Sequence, residues 1–402
     1  MIYFLLPNVH MNIYKNINFN ISGNDTDDLH EDLLRPNCGP MISDSLSVYL
    51  YDIKQRIQNY NKDWDVYKKY TNPFEYINSI VPYRTISVAK YKPLSRSYFK
   101  MLEIIMHFQI NFEKEKVLRT FHLAEGPGGF IEAIANYRNC FDDQYIGMTI
   151  LEDADDENIP AWKKSDHFFK KHPNVFIENG KDRTGNILSL ENFAFCKEKY
   201  KSSRHLITAD GGFDFSFDYN NQEMNIINLL FAQIAYALCM QKRGGVFILK
   251  IFDCFMKQSV DLVYILCSFY EKVYITKPQT SRYANSEKYL VCKNFLFESC
   301  DEFYPYLYTA FAKMMSTDQP VKSFITIRPS SYFINKLEEF NAIFGQQQIE
   351  NIHNTILLMN NKNKAVKIEN LIKTNIQKSI QWCIKHNIKH NIFLNSNMFS
   401  NA

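Results

Sequence analysis

What this sequence lacks narrows its function first: net charge, paired cysteines and long apolar runs. Lys and Arg number 46 against 43 Asp and Glu, leaving a formal charge of +3. That is too small to diagnose nucleic-acid binding from charge alone, so any basic groove has to be local. The nine cysteines are odd in number and scattered, with no Cys-x-x-Cys pair. This argues against a disulfide framework and against zinc, and for reduced thiols in a cytosol-like compartment; no metal is expected. The longest apolar region, Leu229 to Met240, is broken by Gln233 and falls short of the roughly 20 residues that cross a bilayer. The apolar opening Met1 to Leu6 is followed by Pro7 and polar residues, which is too short a run for a secretion signal. No membrane span is expected, and the cytoplasm is the expected location.

With 402 residues the chain can bury one large core with additions. Residues 1–90 hold Asn, Asp and Pro clusters and then Leu46, Leu50, Ile53 and Ile57 at helical spacing, which predicts an irregular arm followed by an amphipathic helix. Over 91–300, short β-branched runs alternate with helical patterns, the mark of an α/β sheet. The expected strands are Val117–Leu123, Tyr145–Thr149, Asn174–Ile177, His205–Ala209, Val246–Ile251, Lys272–Thr276 and Tyr289–Cys292. A helix is expected from Gln222 to Gln241, ended by Gly244-Gly245. The loop joining the last two strands is too short for a crossover helix, so they pair antiparallel. Over 301–402 the strand signals fade; Asn360 to Lys364 reads as a solvated turn, a helix is expected over Val366–Lys385, and Asn395–Ala402 reads as a frayed end.

The segment Leu123-Ala124-Glu125-Gly126-Pro127-Gly128-Gly129-Phe130 sets a glycine-rich turn between the first strand of this region and a helix, where ligands bind in doubly wound sheets. By itself it fits a plain turn, a nicotinamide dinucleotide loop or another cofactor loop. It lacks Gly-x-Gly-x-x-Gly, and Pro127 removes an N–H that would face a pyrophosphate, so an adenosyl ligand without phosphate suits it better. Asp210 ends the fourth strand and reads alone as a turn or N-cap residue as readily as a site carboxylate. Lys250 lies in the apolar run Val246 to Phe252, and lysine is seldom buried unless paired. Lys100 alone reads as a surface helix lysine.

Together these segments resemble the FtsJ-like RNA 2'-O-methyltransferases. Glu125 to Phe130 resembles the Glu-x-Pro-Gly-Gly-Phe form of their S-adenosylmethionine loop in mRNA cap enzymes. Ser95-Arg96-Ser97-Tyr98-Phe99-Lys100-Met101-Leu102-Glu103-Ile104 is similar to their Ser-Arg-x-x-x-Lys-Leu-x-Glu-Ile element, and its Ser-Arg pair selects Lys100 over Lys92. Lys277-Pro278 through Ser281-Arg282 to Glu287 and Tyr289 is similar to their Lys-Pro-x-x-Ser-Arg element. The resemblance covers about Ser95 to Phe295. It implies a Rossmann-like methyltransferase fold, with a mostly parallel seven-stranded sheet, one antiparallel strand, and helical N- and C-terminal extensions.

The resemblance further implies a catalytic tetrad of Lys100, Asp210, Lys250 and Glu287, with Lys250 the proton acceptor for a ribose 2'-hydroxyl. S-adenosyl-L-methionine is the implied cofactor, held by Glu125, Gly126, Pro127, Gly128, Gly129, Phe130, Thr149, Asp182 and Asp210. Thr149 departs from the acidic residue common there; Glu152 and Asp153 are possible substitutes, though Glu152 to Glu157 also reads as a solvated acidic turn. Asp182 fits turn chemistry as well. Arg96, Ser281 and Arg282 are the expected RNA contacts, with Lys293 a further phosphate candidate or a surface lysine. The implied partner is RNA, capped mRNA first, with other capping or transcription proteins. Ribosomal or transfer RNA methylation and a non-catalytic RNA-binding subunit are the alternatives. The loop form and the Gly147-Met148-Thr149-Ile150-Leu151 segment also look similar to FtsJ-like proteins of large nucleocytoplasmic DNA viruses.

Overall fold

The computed structural model describes residues 1–9, 12–21, 42–112, 114–151, 161–212, 220–361 and 364–393. Along the chain run β1 (Ile2–Leu5), β2 (Ile17–Ile21), α1 (Asp44–Ile57), α2 (Asn61–Tyr70), α3 (Ser97–His107), β3 (Arg119–Leu123) and α4 (Gly129–Arg138). Then follow β4 (Gln144–Met148), α5 (Asp166–Lys171), β5 (Val175–Ile177), α6 (Leu190–Tyr200), β6 (Arg204–Ala209), α7 (Gln222–Met240) and β7 (Gln241–Ile251). The chain continues through α8 (Lys257–Phe269), β8 (Tyr270–Lys277), β9 (Lys288–Phe295), α9 (Tyr304–Met315), β10 (Val321–Ile325), α10 (Ser331–Asn360) and α11 (Lys364–Lys385).

All seven expected strands form, but the sheet has eight. Its order is β1-β8-β9-β7-β6-β3-β4-β5. Strands β3 to β7 are parallel, while β9 is antiparallel to both β7 and β8. The eighth strand is the apolar opening: Ile2 to Leu5 pair antiparallel with Lys277 to Tyr274. The sheet thus has two antiparallel strands rather than one, and the N-terminal arm begins as an edge strand of the large sheet. A four-residue run without alternation is too short to read as a strand until a partner edge is available. Val321–Ile325, where strand signals fade, pairs with β2 in a separate two-stranded sheet.

Helices cover both faces of the large sheet. One face packs α6 to α9 through residues such as Phe193, Phe231, Leu262 and Phe311; the other packs α3, α4 and α11 through Phe99, Ile104, Ile134 and Trp382. Helix α7 has the length and composition of a membrane span, yet 83% of its most apolar window is buried inside the fold. Gln233, the polar break in that run, donates to the Leu229 carbonyl and accepts from the Gly211 backbone N–H at 3.2 Å. Gly244 and Gly245 do not end α7. The chain turns extended at Gln241, whose side chain donates to the Arg204 carbonyl at 2.8 Å, and the left-handed Gly244 (φ 76°) lies within β7. The Asn-rich stretch from Asn351 continues α10 to Asn360; Lys362, Asn363 and Asn395–Ala402 lie outside the described residues.

Glu223, at the start of α7, is buried and accepts the backbone N–H groups of Phe255 and Met256, both at 2.9 Å, bridging α7 to the start of α8. Burial pushes its pKa up to about 7, against the hydrogen bonds from Ser259 and the Met256 backbone that favour the charged form. The folded protein therefore binds a proton here between about pH 7 and the ordinary carboxyl value near 4.5, where the unfolded chain does not. This group's contribution to stability accordingly rises as pH falls through that window, by on the order of 3 kcal/mol. Denaturant midpoints at pH 5 and 7.5 for the protein and Glu223→Gln are expected to show this slope removed in the variant; parallel profiles would refute it.

Candidate functional site

The strand register gathers one row of residues at the carboxyl edge of the sheet. Leu123 lies beside Met148 and Ala209, and Ala209 beside Leu249. The next residues, Thr149, Ala124, Asp210 and Lys250, are therefore neighbours. Because β9 runs the other way, its first residues share this edge: Lys250 pairs with Tyr289 and Ile251 with Lys288. That brings in Glu287, which precedes β9. Lys100 arrives from α3, and its Nζ sits 2.8 Å from both Glu287 carboxylate oxygens.

Lys250 Nζ donates to the Asp210 carbonyl at 2.6 Å and lies 3.3 Å from Asp210 Oδ1. Tyr289, fully buried, donates its hydroxyl to the same Oδ1 at 3.1 Å. The side chains of Lys100, Asp210, Lys250 and Glu287 are each 12 to 15% exposed, sheltered but not sealed from solvent. Burial acts to raise the Glu287 pKa, but the charges of Lys100 and Lys250 outweigh it and hold the carboxyl down at about 2. Gly212 leaves room beside the amine, since a Cβ there would stand 3.2 Å from Lys250 Nζ.

The glycine loop is shaped by packing. Gly128 adopts φ 100°, a backbone favourable to glycine, and opens α4. A Cβ on Gly129 would come within 2.2 Å of the Ser95 and Ser97 hydroxyls, so the Ser-Arg element lies directly against the loop. Glu125 faces inward. Its Oε1 accepts the Phe130 and Ile131 N–H groups at 2.6 and 3.0 Å, and its Oε2 accepts the Thr208 hydroxyl at 2.8 Å. Thr208 and the His122 ring form a buried polar pair behind it. Phe130 is fully buried. These two residues brace the loop, and the backbone from Gly126 to Gly129 forms its rim.

Thr149, nearly buried at the end of β4, packs against the turn that carries Asp182: a Cβ on Gly185 would stand 2.0 Å from the Thr149 carbonyl oxygen. Asp182 is exposed. Its Oδ1 accepts from the Thr184 N–H, the Thr184 hydroxyl and the Asn192 amide. Slight burial acts to raise its pKa, and these bonds bring it down to about 2. Glu152 and Asp153 lie outside the described residues.

The expected RNA contacts are placed differently. Arg282 clamps Glu75 through Nε at 3.0 Å and Nη2 at 2.7 Å, and Arg96 Nη1 stands 2.8 Å from the same carboxylate. Burial alone would raise the Glu75 pKa; the two guanidiniums reverse this and hold it well below the carboxylate range. Ser281 is buried, its hydroxyl 3.5 Å from Lys277 Nζ. Lys293 donates to the Phe108 carbonyl, five residues along β9 from Lys288, a separation of about 17 Å.

Two supporting residues lie within the quoted motifs without being singled out there. Glu103, one turn after Lys100, accepts the Gln279 and Thr280 N–H groups at 2.8 and 3.2 Å and fixes the Lys277–Arg282 loop against α3. Lys277 Nζ donates to the Asn285 and Glu287 carbonyls at 2.6 and 2.7 Å. Burial and the nearby Lys288 charge lower its pKa to about 7. Glu103 and Lys277 both lie inside the motifs quoted from the sequence; Glu103 meets a loop 176 positions away, whereas Lys277 meets carbonyls 8 and 10 residues on.

Gly126 offers a direct test of the loop packing. A Cβ there would come 2.2 Å from the Ala161 carbonyl oxygen, a backbone atom that cannot swing aside. Gly126→Ala is expected to lower stability by about 1–3 kcal/mol, read as a fall in thermal midpoint; an unchanged midpoint would show that the loop is not held by this contact.

A model of the FtsJ-like methyltransferase family matches residues 93–295. The chain is 26% identical over 263 residues to cap-specific mRNA (nucleoside-2'-O-)-methyltransferase 2 of Drosophila melanogaster, covering 60% of this chain and 35% of that protein. Cap-specific mRNA (nucleoside-2'-O-)-methyltransferase 1 of Bos taurus is 35% identical over 195 residues, covering 47% and 23%; that of Danio rerio is 30% identical over 286 residues, covering 66% and 34%. The chain spans about a quarter to a third of the length of these relatives. With half of the sequence matched and the matched segments converging on one sheet edge, the chain belongs to the FtsJ-like methyltransferase family.

Proposed function

We propose that this protein transfers a methyl group from S-adenosyl-L-methionine to a ribose 2'-hydroxyl of RNA, at a nucleotide next to an mRNA cap. The observation that carries the reading is the pairing of two lysines with two carboxylates, Lys100 with Glu287 and Lys250 with Asp210, at the mouth of the glycine loop. The names of the relatives support the cap as the place of transfer.

The loop fits an adenosyl cofactor in its chemistry: a glycine rim at a strand end, Pro127 where a phosphate loop would need an N–H, and a carboxylate at Asp182 beside the next strand's end. When bound, the cofactor supplies a methyl carbon activated by its positively charged sulfur. Lys250 Nζ, in its unprotonated amine form, accepts the ribose hydroxyl proton. Held by the loop, the cofactor would give up its methyl carbon to that oxygen and keep the bonding pair of the carbon–sulfur bond on sulfur. Asp210 aims the amine from its carbonyl and carboxylate oxygens. Lys100, neutralised by Glu287, stands beside it to hold the ribose end of the RNA. Fixing these groups in line lowers the barrier by orientation.

The test is transfer of labelled methyl to capped RNA, capped RNA already 2'-O-methylated at its first nucleotide, and uncapped RNA. Label is expected on the first alone. Equal labelling of uncapped RNA would move the reading to ribosomal or transfer RNA, and cofactor binding without transfer would indicate a binding subunit. Lys250→Ala is expected to lower kcat by about a hundredfold or more while cofactor affinity, read by calorimetry, stays within about threefold; retained turnover would remove Lys250 as the base.

A further inference from the structure

The segment that carries Glu287 is gripped from outside the family region. Asp253, two residues beyond β7, is buried, with Oδ1 2.8 Å from Lys288 Nζ and Oδ2 2.8 Å from Lys54 Nζ. The Ser286 hydroxyl donates to the same Oδ2 at 2.9 Å. It accepts from Lys54 Nζ at 2.9 Å and from Gln348 Nε2 at 3.2 Å, so its one donor and two acceptor positions are all used. Gln348 also donates to the Ala284 carbonyl at 3.0 Å. Lys54 belongs to α1 and Gln348 to α10, both beyond residues 93–295. A separate apolar cluster that includes Leu50, Ile53, Ile57, Phe255 and Ile352 seats these two helices.

Ser286 and Lys288 flank Glu287, and both are tied to Asp253. Glu287 itself is tied to Lys100 on the other side. Anchoring both neighbours of a residue on one side leaves it to face the opposite side when the chain is extended. Lys54 carries a charge into this interior at 5% exposure, and a buried lysine is retained where it is paired.

We propose that Lys54 and Gln348 are positioning residues for Glu287, so that the helices outside the family region complete the catalytic site. The inference rests on the tetrad reading above. It adds that residues 93–295 alone lack two donors that hold one tetrad member in place.

The experiment uses the full chain with Lys54→Met, Lys54→Arg, Asp253→Asn, the double variant Lys54→Met/Asp253→Asn, and Gln348→Leu as a milder change should Lys54→Met fold poorly. All are assayed well below their measured thermal midpoints. Lys54→Met is expected to lower kcat about tenfold or more with KM for capped RNA and cofactor affinity within about twofold, and Lys54→Arg to recover most of the loss. The double variant is expected to turn over no slower than Asp253→Asn, because both act through one network. Gln348→Leu is expected to show the same pattern at about threefold. Wild-type kcat in Lys54→Met and Gln348→Leu, or fully additive losses in the double variant, would overturn the proposal.

Amide hydrogen exchange across 284–289 needs no substrate and separates the two readings. If the wild-type protein methylates none of the RNAs, faster exchange there in Lys54→Met upholds the positioning role while the functional reading fails. Unchanged exchange overturns the positioning role.

Discussion

The antiparallel pairing of β9 with β7 decides which residues meet at the carboxyl edge of the sheet. Parallel strands deliver their ends to the carboxyl edge of a sheet; only a reversed strand delivers its beginning. Since Lys250 pairs with Tyr289, the residue just before β9 is brought to that edge, and it is Glu287. A slip of one residue would turn Tyr289 away from Asp210 and exchange the sides of Ser286, Glu287 and Lys288. The loop from Lys277 to Arg282 follows from the same reversal, because it must lead the chain from β8 back to the start of β9. Helix α3 then docks on that loop through Glu103 and supplies Lys100.

A second constraint is the cost of taking charge out of water. Glu75, Asp253 and Glu287 lie in the interior or at its margin, and each carboxylate has two cations near it: Arg96 and Arg282, Lys54 and Lys288, Lys100 and Lys250. Burial opposes the charged form of all three, and the cations reverse that effect. Such pairs add little net stability over apolar packing, because desolvation offsets the attraction. What they impose is geometry, since a buried charge tolerates few alternative partners. Two of the three join the terminal segments to the sheet edge, so the site is held partly by residues far from it in sequence.

The glycine loop shows how much can be read from a local segment. Its glycines meet the Ala161 carbonyl, the Trp162 ring and the Ser95 and Ser97 hydroxyls, so they are required by close packing as well as by backbone conformation. Glu125 looks like a ligand residue in the sequence, yet both its oxygens are taken by the protein. The reason is that four backbone N–H groups at the start of a helix need acceptors, and a carboxylate five residues earlier can return to meet two of them.

Seven strands, the long buried helix and the glycine turn were legible because each is written locally, in an apolar run with its period or a turn residue, and Lys100, Asp210, Lys250 and Glu287, picked out by short motifs, meet at one sheet edge. The sequence by itself thus determined the mostly parallel sheet and the edge at which the glycine turn lies. Tertiary structure decided the rest. The apolar opening became a strand only because β8 had a free edge, and Arg96 and Arg282, legible as phosphate ligands, were assigned to Glu75 by a segment about 200 positions from Arg282. Lys54 meets Asp253 across 199 positions and Lys100 meets Glu287 across 187. Local patterning states which side of an element is buried; which charge meets which depends on the packing of distant elements and on the need of each buried ion for a partner.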